Sequence, residues 1–200
     1  MAASNNLLST SKSKKISITA VFASMALASA YVLSTIPNIE LMSFLVFIAG
    51  YLYGSSVGAL VGLIAMGIYA AWNPWGGPVP PIFAAQVGCM TFIGAVGGLA
   101  SKIFNTSASD SEKMLGAAAL GGTLTIIYDL ATNYAYALAF GLAKQFVIVL
   151  IAGAWFSLMH VISNTLIFGL LLAPVSKTLR NVLGLDGDVT RENKWGEKRS

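Results

Sequence analysis

Apolar residues fill most of this chain in long stretches, and short clusters of proline, glycine and charged residues separate them. About 20 residues of α-helix cross the hydrocarbon of a bilayer, so the length of these stretches, more than their period, sets the expected elements. The pattern predicts helices over 16–34, 41–53, 57–72, 82–101, 114–140 and 145–173. Pro37, Asn38 and Glu40 mark the first turn, Gly54, Ser55 and Ser56 the second, and Gly141 to Lys144 the last. The second and third runs are short for about 30 Å of hydrocarbon, and the fifth is long enough to tilt or project beyond it. Densest of the turn signals is WNPWGGPVPP at 72–81, whose prolines and glycines dictate a rigid, non-helical loop.

Composition turns this pattern into a class. With 56% hydrophobic and only 10% charged residues in 200, the chain reads as an all-α integral membrane protein, a single bundle of six transmembrane helices with no room for a second domain. Residues 1–15 are expected as a disordered cytoplasmic arm, 16–180 as the membrane domain and 181–200 as a polar cytoplasmic tail. A signal peptide is the competing reading of the start, but no clear cleavage site precedes a polar mature region. Lys12, Lys14, Lys15, Lys102, Lys113, Lys177 and Arg180 fall on one side of such a bundle and only Lys144 on the other. Both termini are therefore expected in the cytoplasm of a multi-pass cell-membrane protein, with the turns at 37–40, 72–81 and 141–144 outside. The net charge of +4 belongs to these flanks, so no nucleic-acid partner is expected. Cys89, the single cysteine, reads as a buried, inert thiol.

Asp129 is the one acidic residue that this layout cannot place at a membrane edge. An ionised Asp at the bilayer centre costs roughly 2.5–3.5 kcal/mol on lenient insertion scales, so it should face a partner, a cavity or a ligand. Thr125, Asp129, Thr132, Asn133 and Tyr136 share one helix face by their spacing. Reflecting the last hairpin about residues 142 and 143 puts His160 opposite Thr125 and about one helical turn, near 5 Å, from Asp129. Asp129, Asn133, His160 and Asn164 would then line one space between helices beneath the 72–81 loop, where Asn73 and Trp75 either close over a solute or sit in an interfacial belt. His160 and Asn164 read equally as groups that hydrogen-bond neighbouring helices. No GxxxxGK[ST] or HExxH occurs, and one His with one carboxylate falls short of a metal ligand set, so neither an enzyme nor a cofactor is expected.

Small residues recur at helical spacing. Ala20, Ser24 and Ala28 make a stripe on the first helix, and Gly50, Gly54, Gly58 and Gly62 follow every fourth residue; both patterns let helices approach closely, within this bundle or against another subunit.

AVFASMALA at 20–28, PNIELMSFLVFIAGYLYGSSVGALVGL at 37–63, NPWG at 73–76 and HVISNTLIFGLLLAP at 160–174 together resemble the substrate-binding S component of the energy-coupling factor (ECF) vitamin transporters, over about 16–180. The first segment is similar to that family's AxxxA-type docking motif, with Ser24 in place of an alanine. The resemblance implies capture of a vitamin-like solute in a pocket of outward loops and helices four to six. It also implies a transmembrane T subunit and two cytoplasmic ATPases as partners, engaged through Ala20, Ser24 and Ala28. A scaffold subunit whose polar groups only bind helices together is the runner-up. A self-contained carrier with Asp129 as a proton site is a third reading, without an internal repeat to support it.

Overall fold

In a computed structural model describing residues 12–104 and 109–182, each of the six apolar runs is an α-helix. They are α1 (Lys12–Leu33), α2 (Met42–Tyr53), α3 (Ser55–Ala71), α4 (Pro80–Phe104), α5 (Asp110–Ala139) and α6 (Phe146–Val182), with one 3₁₀ turn at Ala143–Gln145 and no strand among the described residues. Four helices, α1, α4, α5 and α6, are long and apolar enough to cross a membrane, and α2 and α3 are shorter apolar helices.

Helix ends depart from expectation for local reasons. Helix α1 begins at Lys12, so 12–15, read as arm, is helical; residues 1–11 lie outside the described chain. Helix α4 starts at Pro80 because proline lacks the N–H that a first turn leaves unpaired anyway. A capping box starts α5 early: Ser109 Oγ accepts from the Glu112 N–H at 3.3 Å and the Ser109 N–H donates to the Glu112 carboxylate at 2.6 Å. Pro174 does not end α6, contrary to the expected stop at 173. It removes one hydrogen bond, but Leu172 and Ser176 on either side are buried, and that packing carries the helix to Val182. Of the expected tail, 183–200 lie outside the described residues.

Helix α2 sits at the centre, against α1, α3, α4 and α6. Nine of its twelve residues are buried, which a short helix with apolar side chains all round requires. Because neighbours surround it, its length of about 18 Å need not match the bilayer. Glycine sets the approach of α4 to α2 and α3: a Cβ built on Gly50 or Gly58 would meet the Gly94 carbonyl, and one on Gly94 would meet that of Gly58. Gly54, the fourth of the glycine series, serves differently. Its φ of 95° breaks the chain between α2 and α3, a conformation that side-chain-bearing residues rarely adopt. Phe168 on α6 fills the middle, its ring centroid 5.0 Å from that of Phe47 and 5.6 Å from that of Phe44. Cys89 is half-buried on α4 rather than fully enclosed.

Candidate functional site

The α1–α2 turn holds a carboxylate over the bundle. Asn38 adopts φ 57°, which its short polar side chain tolerates. Its Nδ2 donates to the Phe156 carbonyl at 2.6 Å, and its own carbonyl accepts from Ser163 Oγ at 2.9 Å. Clipped twice to α6, the turn delivers Glu40 to the start of α2, where its Oε2 accepts from the Ser43 N–H at 2.8 Å. The partial positive charge of a helix N-terminus favours a carboxylate there.

Helices α5 and α6 bring the remaining groups. His160 Nδ1 lies 2.8 Å from Asp129 Oδ1, and Asn164 Nδ2 donates to Thr125 Oγ1 at 3.0 Å. Both pairs centre between residues 144 and 145, two residues later than the expected reflection. Asp129 and His160 are thus in direct contact rather than a turn apart. On its other side His160 Nε2 is 3.7 Å from Glu40 Oε1, which also accepts from Asn164 Nδ2 at 3.2 Å. One imidazole therefore stands between two carboxylates. Burial pushes the Glu40 carboxyl up, but the neighbouring His160 and the Ser43 hydrogen bonds outweigh it and hold the group below the usual carboxylate range. Asp129 Oδ2 and Asn164 Oδ1 are buried without a hydrogen-bond partner among the described residues. Such orphans are rare in folded proteins.

These groups border a cavity of about 620 Å³, within the range of small-molecule sites. Asp129, Asn133, His160 and Trp75 line it. Asn164 does not; wholly buried, it ties Glu40 to Thr125 from behind. Asn73 also stays out, its Oδ1 accepting from the Trp75 N–H at 2.9 Å and its Nδ2 donating to the Ala70 carbonyl at 3.4 Å. It shapes the loop that carries Trp75. Tyr136 leaves the expected polar face, exposed with its ring 4.6 Å from that of Phe140. Glu40, Asn38, Ser43, Tyr69, Gln86 and Tyr128 line the cavity too and were not expected there. Glu40 read only as part of the first turn, and Gln86 only as a polar group within an apolar run. No cluster of three or more His, Cys, Asp or Glu among the described residues is arranged to hold a metal ion.

Trp75 lies over this cavity with its Nε1 donating to the Ser34 carbonyl at 3.2 Å, though 74% of its surface is exposed. Trp75→Ala should weaken solute binding about tenfold, as loss of an aromatic wall does, with little change in melting temperature. Equal affinity in calorimetry would assign the indole to the interfacial belt.

The family model described as ECF transporter, substrate-specific component, matches residues 14–180. No curated protein and no solved structure matches the chain.

Proposed function

Because the chain belongs to the family of ECF transporter substrate-specific components, we propose that it captures a vitamin-like heterocyclic solute in the cavity between the α1–α2 turn, the α3–α4 loop and helices α4 to α6. The observation that carries this reading is the convergence of Glu40, Asp129 and His160 on a cavity of about 620 Å³. A carboxylate pair, an imidazole and aromatic walls suit a small ring system better than a lipid tail. In this reading all six helices cross the membrane, with α2 and α3 as the short crossings. The cavity opens outward and both termini lie in the cytoplasm. Lys113, Lys177 and Arg180, which share one hollow between α5 and α6, supply the positive charge of the cytoplasmic side.

Uptake then requires the transmembrane T subunit and two ATPases of an ABC-type assembly. Support comes from α1, where Ala20, Ser24 and Ala28 stand exposed while Phe22, Ala23, Ala26 and Ala30 face the bundle. Among the described residues nothing covers the small-residue stripe, which favours a docking face over internal packing. Ala20→Trp should abolish uptake and co-purification with ATPase-bearing subunits while solute binding stays within about twofold of wild type, an energy change below about 0.5 kcal/mol. Continued uptake, or joint collapse of binding and assembly, would overturn the docking role.

The direct bonds of His160 to Asp129 and of Asn164 to Thr125 favour one second reading, a scaffold in which these groups only hold α5 to α6. Mass spectrometry of small molecules retained by the purified protein separates the two. A bound heterocycle supports capture. Its consistent absence, with no saturable binding from a vitamin panel, supports the scaffold.

A further inference from the structure

Resting on the capture reading, we infer that the solute is cationic or amine-bearing, and that the site discriminates against carboxylate- and phosphate-bearing vitamins. The charge inventory is one-sided. Glu40 and Asp129 face the cavity with His160 between them, and no Lys or Arg is among the described residues that line it. Even with the imidazole protonated, two carboxylates leave one negative charge in excess.

Hydrogen bonding points the same way. The Nδ2 donors of Asn38 and Asn133 go to the Phe156 and Asp129 carbonyls at 2.6 and 2.8 Å, and the Trp75 indole N–H goes to the Ser34 carbonyl. Both nitrogens of His160 face carboxylates. The charged groups that face the cavity beside His160 are acceptors, the carboxylates of Glu40 and Asp129. The neutral groups of Tyr69, Tyr128, Gln86 and Ser157 also line the cavity and accept as well as donate. An anionic solute would meet like charge without a basic residue to bind it. A protonated amine, an amidine-like aminopyrimidine or a quaternary ring nitrogen would meet two carboxylates in a cavity that Trp75 and Tyr128 also line.

The test is calorimetry on the full chain in lipid nanodiscs with a series built on one pyridine ring: pyridoxamine, pyridoxine and 4-pyridoxic acid. Thiamine serves as a fixed cation and biotin as a second carboxylate. The amine should bind at least tenfold tighter than the neutral alcohol and the acid weakest, with thiamine ahead of biotin. Glu40→Gln should narrow the amine's advantage by about tenfold. The wild-type order alone suffices should that variant not fold. If the acids bind as tightly as the amines, or a neutral or anionic solute is the one retained on purification, the charge class is overturned while capture stands. Binding by none of the five, with no solute retained, overturns both.

Discussion

Asp129→Asn is expected to raise the dissociation constant for the captured solute by about one to two decades, the loss of roughly 1.5–3 kcal/mol that a hydrogen bond to a charged group represents. The melting temperature of the solute-free protein should change little. Asn is nearly isosteric, and its Oδ1 can still accept from His160 Nδ1, which lies 2.8 Å from the Asp129 carboxylate. Glu40, 3.7 Å from Nε2 of the same ring, remains to balance an imidazolium, so no uncompensated charge is left in the bundle. What disappears is the charge of a carboxylate that lines the cavity, with an NH₂ group in place of one acceptor oxygen. Calorimetry with the retained solute, beside melting curves of both proteins, reads the two effects separately. A lower melting temperature with unchanged affinity would mean that the pair only ties α5 to α6.

Gly94→Leu should leave no folded, monodisperse protein at all. A Cβ at Gly94 would run into the Gly58 carbonyl, and the Gly94 carbonyl already occupies the space that a Cβ on Gly50 or Gly58 would need. Both obstacles are backbone, which cannot rotate away as a side chain can. Helices α3 and α4 would have to separate along their shared face and draw α2 with them. An overpacked core substitution costs typically 1–3 kcal/mol, and one against rigid backbone belongs at or above the exceptional end, about 4–5 kcal/mol. Total stability is only about 5–15 kcal/mol. Gly67→Ala and Gly88→Ala are the matched controls, since a Cβ at either meets nothing within 4 Å. Alanine there should hold or raise the melting temperature, by up to about 1 kcal/mol of helix propensity each. Size-exclusion profiles and thermal melts suffice, and wild-type behaviour of Gly94→Leu would refute the close approach.

Which parts of this molecule could be read from its residues follows from the range of the forces involved. Apolar stretches must satisfy their own backbone hydrogen bonds in lipid, so they are helices whatever surrounds them. Asp129 stood out because a carboxylate in such a stretch needs a partner, and its hairpin neighbour His160 lies only 31 residues on. The register erred by two residues because the apolar pattern locates the turn between α5 and α6 but does not record how far the two helices slide along each other. The capping box at Ser109 and Glu112 was legible in principle, as an S-x-x-E sequence at a helix start.

Other features were decided only when the chain closed on itself. Glu40 read as a turn residue, because its contact with Asn164 joins positions 124 apart and no local pattern encodes such a meeting. Asn73 has the same polar side chain as a ligand contact would, and only the loop's geometry commits it to Trp75 and Ala70. The direction of the Ala20, Ser24 and Ala28 stripe was likewise undecided. In water an apolar face must turn inward, whereas against lipid both faces of a helix can be apolar, so hydrophobicity stops reporting which side is buried. The sequence by itself thus determined helices, their order and the need to shelter Asp129. Tertiary structure decided which groups shelter it, that a second carboxylate joins it, and which small-residue faces are spent inside the bundle.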